Sequence, residues 1–154
     1  KELRMDRRVS VRGAVIDGDK LLCVQLHPYD GAVIQLGDTW CIPGGGVDKG
    51  EALVDALYRE MIEETGVAPE IGQLLFVQQF AHEGREFLEC IFHIINTTDY
   101  HNIDLSKTSH GGAEIKQIAF VDPAKTDILP KFLTTEPLST LVKEQHPAKF
   151  FSYL

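Results

Sequence analysis

Glu60, Glu63 and Glu64 stand at i, i+3 and i+4, directly after Arg59, in the run Arg59-Glu60-Met61-Ile62-Glu63-Glu64. On a helix, residues three and four apart share one face. Leu53, Ala56 and Leu57 mark an inward stripe in the preceding turns, and extending it by one and two turns lands on the three glutamates. Tyr58 and Ile62 fall on the opposite side. Carboxylates aimed inward repel one another and lose hydration, at a cost of several kcal/mol each unless compensated. One arginine cannot neutralise three anions. A hard divalent cation can, and an all-oxygen ligand set favours Mg²⁺ or Mn²⁺ over zinc. The plain alternative is a solvated acidic helix end, the ordinary fate of clustered glutamates.

A helix from about Lys49 to Thr65 must position these groups. Asp48 is its expected N-cap, with Glu51 at the capping-box spacing, and Gly66 suits the residue after its end. Upstream, Trp40 to Gly46 reads as a short strand running into the glycine-rich loop Gly44-Gly45-Gly46. Val9–Ile16 and Lys20–Leu26 read as a β-hairpin around Asp17-Gly18-Asp19. Leu74–Ala81 and Phe87–Asn96 are two further strands, separated by His82-Glu83-Gly84-Arg85. Tyr100 to Gly112 reads as an irregular polar loop and Ile115–Val121 as a strand. Asp122-Pro123 is expected to open a short helix stopping near Pro130, and Glu136-Pro137 a last one burying Leu138, Leu141 and Val142. Tyr29 to Asp38 is a loop whose apolar patch, Ala32-Val33-Ile34, has no assigned role. Without a regular βαβ repeat, the pattern implies an α/β (α+β) fold, a mixed sheet flanked by helices, and excludes a doubly wound dinucleotide fold.

The chain has 154 residues, 44% of them hydrophobic, which suits one domain over residues 1–154 with its own core. Its net charge of −8 argues against nucleic-acid polymers and anionic membranes as partners. A small anionic substrate stays compatible, because a bound divalent metal reverses the sign of one local site. Cys23, Cys41 and Cys90 form no C-x-x-C pair and read as buried free thiols of a reducing compartment. No apolar run has membrane-spanning length and no signal-peptide core opens the chain, so a cytoplasmic protein is expected. The opening residue, Lys1 in place of Met, reads as a trimmed start.

The segment Gly45 to Val67 resembles the Nudix box, G-x5-E-x7-R-E-U-x-E-E-x-G-U with U a bulky aliphatic residue. Gly45, Glu51, Arg59, Glu60, Glu63, Glu64, Gly66 and Val67 fit, and Met61 takes the first U position. With average residue frequencies, a chance match at a given start is on the order of 10⁻⁹. Trp40-Cys41-Ile42-Pro43-Gly44-Gly45 is similar to the family's lead-in, and Phe120-Val121-Asp122 to its closing strand and turn. The resemblance implies a Nudix-like α/β/α sandwich and hydrolysis of a phosphoanhydride bond. The substrate would be a nucleoside diphosphate linked to another moiety, such as a nucleoside triphosphate or a nucleotide sugar. Mg²⁺, or Mn²⁺, would be held by Glu60, Glu63 and Glu64. Arg59 would fix a carboxylate rotamer, and Gly44, Gly45 and Gly46 would form the tight substrate-side loop. Glu51 is expected to stabilise the loop.

A general base is implied either within the box or on a later loop. Glu83, Glu86 and Glu114 are the later candidates, and Glu114, between Gly111-Gly112 and the closing strand, ranks first. The catalytic set is thus Glu63, Glu60, Arg59 and Glu114. His82, His93, His101 and His110 lack metal-ligand spacing and read as surface or structural residues. Trp40, Phe80 and Phe87 are candidates to stack a base, although each reads first as core. Nudix proteins are often dimers, making a homodimer one expectation, with no self-complementary surface evident. The rival class is a non-catalytic Nudix-like sensor of nucleotides or sugar-nucleotides. Such proteins usually carry a degraded box, and this box is intact.

Overall fold

The computed structural model describes residues 6–28 and 36–154; the apolar patch Ala32-Val33-Ile34 lies outside the described residues. Two mixed sheets form the body. Strand β1 (Asp6–Ala14) alternates polar residues with Val9 and Val11, and it sits inside the first sheet. β2 (Ile16–Asp17) and β3 (Lys20–Leu26) belong to the second sheet, where Ile16 pairs with Leu21. The expected hairpin around Gly18 therefore shrinks to this short β2–β3 turn. β3 is buried almost along its whole length, as befits a strand covered on both faces.

β4 (Trp40–Cys41) pairs with β3, and β5 (Gly44–Gly46) pairs antiparallel with β1, so the glycine run is an edge strand and not a loop. Helix α1 (Leu53–Thr65) follows. It starts later than the spacing predicts. Asp48 and Glu51 close a separate turn, in which the Glu51 N–H donates to the Asp48 carbonyl at 2.9 Å and the Asp48 N–H to the Glu51 carboxylate at 3.0 Å. Ala52 is the N-cap and makes no side-chain cap bond. Gly66 ends the helix in the left-handed conformation, its N–H on Ile62 O, as expected. The buried stripe is Ala56, Leu57, Met61, Glu64 and Thr65, whereas Leu53 is exposed with Val54, Tyr58 and Ile62. The inward face is thus rotated away from Leu53, because the helix begins with that residue at its open end.

β6 (Ile71–His82) and β7 (Arg85–Ile94) form a long antiparallel hairpin, and β7 runs parallel to β1. Glu83 and Gly84 make its two-residue turn, both at positive φ. The 97–114 stretch is less irregular than its polarity implies. It holds single helical turns at Thr97–Tyr100 and Leu105–Lys107, then α2 (Gly111–Glu114). Tyr100 is buried there and donates to Val67 O at 3.1 Å. β8 (Ile115–Val121) is the strand that the sequence predicts, and it pairs antiparallel with β3. Asp122-Pro123 opens a turn in place of a helix: the Asp122 side chain accepts from the Ala124 N–H, and the chain returns as β9 (Ile128–Leu129) beside β4. α3 (Leu138–Leu141) buries Leu138 and Leu141, and β10 (Lys149–Ser152) closes the first sheet alongside β6.

The first sheet has the order β10-β6-β7-β1-β5, and the second β2-β3-β4-β9 with β8 beside β3. One core cluster gathers Phe76, Ile91, Leu21 and Ile42 with the C-terminal Phe132, Leu138 and Leu141. A second packs α1 through Ala56, Leu57 and Met61 onto Val11, Cys90 and Ile94. Cys23, Cys41 and Cys90 are free and buried, as the sequence implies.

Candidate active site

Alternation along β1 turns Val11 toward α1 and turns Arg8, Ser10 and Arg12 into a cleft of about 930 Å³. A cleft of this size suits a small organic ligand. Gly44, Gly45, Gly46, Arg59, Glu60, Glu63, Glu64 and Glu114 all line it, as do Phe80 and Phe87, whereas Trp40, also a candidate to stack a base, does not.

The glycine edge strand makes this possible. A Cβ on Gly45 would stand 2.6 Å from the Glu60 carboxylate, so only glycine lets that side chain lie against the strand. Gly44 sits at φ 147, and a Cβ there would collide with the Val11 carbonyl. The Gly44 N–H donates to Glu64 Oε2 at 3.0 Å.

Arg59 is the hub of the helix end. It makes two bonds to Glu51, both 2.9 Å, one to Glu60 at 2.9 Å, a longer one to Glu63 at 3.3 Å, and one to Gly46 O at 3.1 Å. Glu51 thus ties the 48–51 turn to α1 through Arg59, and that hydrogen-bonded pairing holds its carboxyl down at about 2. Glu64 is buried, 6% exposed. Burial pushes its carboxyl up to about 8, with Arg12 opposing and the charges of Glu60 and Glu114 adding. Burial also raises Glu60, against the pull of Arg59.

Among the described residues, no three His, Cys, Asp or Glu side chains converge as a ready metal cage. Glu60 and Glu63 are instead turned onto Arg59, and Glu64 onto Gly44. The donor set nevertheless fits a hard dication: three all-oxygen groups on adjacent turns, two of them holding protons more tightly than a free carboxylate because burial has removed their water.

The spacing of the histidines hides one member of the site. His110 lines the cleft with Nδ1 3.2 Å from Glu63 Oε2, and its backbone N–H donates to the Glu63 carbonyl at 3.0 Å. This latch holds the loop that leads to Glu114 against α1. Glu83 is exposed at the hairpin turn, Glu86 pairs with Arg7, and neither lines the cleft. The floor carries a buried network that sequence reasoning missed. Glu89 accepts from Arg12 Nε at 3.1 Å, Ser10 Oγ at 3.1 Å and Gln78 Nε2 at 3.4 Å. Arg12 also donates to Ile42 O at 3.0 Å. The only advance signal was the polar alternation along β1, which ordinarily marks a solvated face.

Two mixed sheets and a carboxylate-bearing helix seated on a glycine edge strand define an α+β fold with a cleft where five glutamates meet three arginines and a lysine. The chain belongs to the NUDIX domain family, which it matches over residues 6–140. Among solved structures, a MutT protein from Methanosarcina mazei Go1 superposes with a TM-score of 0.68 at 16% identity, covering 94% of this chain and 100% of that one. A MutT NUDIX hydrolase from Burkholderia pseudomallei gives 0.60 at 20% identity, covering 77% of this chain and 84% of that one. These likenesses are of fold. Among curated proteins, an RNA pyrophosphohydrolase from Psychrobacter sp. (strain PRwf-1) is 53% identical over 38 residues, 25% of this chain and 22% of that protein. The chain thus aligns with under a quarter of that relative's length. No helix among the described residues is long and apolar enough to cross a membrane.

Proposed function

We propose that the chain is a Mg²⁺-dependent pyrophosphohydrolase acting on a phosphoanhydride bond of a nucleoside diphosphate linked to another moiety. The observation that carries this reading is the clustering of Glu60, Glu63 and Glu64 on adjacent turns of α1, opening with Arg12 on one cleft. Glu60, Glu63 and Glu64 would hold the metal, which supplies charge compensation to the phosphoryl oxygens and a lowered pKa for bound water.

The chain's own groups do the rest. Arg59 orients Glu60 and Glu63. Glu89 holds the Arg12 guanidinium at the cleft floor, where it faces phosphate oxygens. Glu114 lines the same cleft near enough to Glu64 to affect its proton, and would accept a proton from an attacking water. His110 keeps the Glu114 loop docked on the helix.

The test is a panel of nucleoside triphosphates, nucleotide sugars, ADP-ribose, dinucleotides and a 5′-triphosphorylated RNA oligonucleotide. Each is incubated with Mg²⁺ or Mn²⁺, beside a Glu63→Gln control. Metal-dependent release of phosphate, pyrophosphate or nucleoside monophosphate, lost in the control, supports the reading and names the substrate class. Ligand-raised thermal stability with no turnover anywhere would replace it with a sensor.

A further inference from the structure

Within the cleft, strand register places four side chains in one row. Arg8 on β1 is the parallel partner of Phe87 on β7, and Phe87 is the antiparallel partner of Phe80 on β6. Ser152 on β10 partners Gln79, and the Tyr153 N–H donates to Gln79 O at 2.9 Å, so Tyr153 continues the row beside Phe80. All four line the cleft.

The Phe80 and Phe87 rings stack at 4.8 Å and 5°. Phe87 is 4% exposed and backs the row, while Phe80 is half-buried and Tyr153 is 60% exposed. Open ring surface therefore comes from Phe80 and Tyr153. A core would have covered it. The second sheet contributes Val24, Leu26 and Leu129 to the same cleft.

Arg8 stands where this row meets the phosphate end. A Cβ on Gly46 would lie 2.7 Å from its Nη2, and Arg59 bonds the Gly46 carbonyl. In a chain of net charge −8, Arg8 takes part in no ion pair among the described residues. Strands in a sheet lie ~4.8 Å apart, so Phe80 is about 10 Å from Arg8 across the sheet. That distance accommodates a sugar and a flat base beyond a phosphate held at Arg8. Stacking on aromatic side chains tolerates any base, since every base presents a π-face.

We propose that Phe80 and Tyr153, backed by Phe87, bind the nucleobase of the substrate, and that Arg8 binds the phosphate nearest the nucleoside. The substrate is then a nucleotide, and pyrophosphates without a base are poor ligands. This rests on reading the α1 carboxylates as the phosphate end of the cleft.

The experiment is equilibrium calorimetry on the full chain without metal, so that no turnover enters. Adenosine and uridine monophosphate are compared with ribose 5-phosphate, for the wild type and for Phe80→Leu, Tyr153→Leu and Arg8→Gln. Both nucleotides are expected to bind at least tenfold tighter than ribose 5-phosphate. Loss of either ring should weaken nucleotides roughly 5- to 100-fold and leave ribose 5-phosphate unchanged, while Arg8→Gln should weaken all three. If Phe80→Leu does not fold, the exposed Tyr153 carries the test. Nucleotide affinity no better than that of ribose 5-phosphate, absent binding of both included, overturns the proposal, as does wild-type nucleotide affinity in Tyr153→Leu. Base-dependent binding without turnover of any substrate would leave this subsite standing and sink the hydrolase reading. Turnover of base-free pyrophosphates at the rates of nucleotides would do the reverse.

Discussion

Replacing Glu64 by glutamine should stabilise the metal-free protein and abolish its activity. Glutamine keeps an oxygen for the Gly44 N–H, which donates to Glu64 at 3.0 Å, and removes only the charge. In the folded chain burial pushes this carboxyl up to about 8. In the unfolded chain it titrates near ~4.3. A raised carboxyl stabilises the fold fully below the unfolded pKa, and that contribution is lost as pH rises to about 8. At pH ~7.5 the difference approaches ~4 kcal/mol, and relaxation of Arg12 and entering water reduce it to roughly 2–4 kcal/mol. For a chain of 154 residues this corresponds to a Tm higher by roughly 5–15 °C in Glu64→Gln. At pH ~5 the gap should shrink below ~1 kcal/mol.

Scanning calorimetry in chelator at the two pH values measures this directly. Adding Mg²⁺ at ten times its Kd should then raise the wild type by about 1.4 kcal/mol and leave the variant unmoved. A variant melting with the wild type at pH ~7.5 would refute the desolvated-anion argument. A variant with wild-type turnover would remove Glu64 from the site.

Glu63→Gln should lower kcat by about 10²-fold or more with circular dichroism and Tm close to wild type, since Glu63 is partly exposed and its loss opens no cavity. Gly45→Ala places a methyl 2.6 Å from the Glu60 carboxylate, which must swing away. Turnover should fall at least about tenfold while Tm changes little, because the displaced atom ends a flexible side chain. Glu89→Gln leaves the Arg12 charge without its carboxylate partner, and urea unfolding should show a loss of roughly 3–5 kcal/mol. Arg59→Lys cannot bridge Glu51, Glu60 and Gly46 O at once, so protease cleavage within the 46–51 turn should accelerate; unchanged protection there would contradict the hub role.

The helix that carries the three glutamates was legible because its signals are local. Glutamates three and four apart share a face in any helix, and Gly66 ends this one in the left-handed conformation wherever it packs. The strands β6 and β7 were equally visible, as apolar runs on either side of His82-Glu83-Gly84-Arg85. Strand partners were not. The glycine run looks like a loop until β1 pairs with it, and the hairpin expected around Gly18 loses its first arm to the other sheet. Both outcomes depend on which strand lies alongside, a matter of residues far apart in the chain. The same holds for His110, 3.2 Å from Glu63 across 47 positions, and for Arg12, held by Glu89 across 77. Their types are ordinary and their spacing carries no period. A chain of this composition announces a carboxylate helix through neighbours one turn away, whereas the floor, the latch and the aromatic row arise only when burial of the two sheets' apolar faces brings distant strands into register.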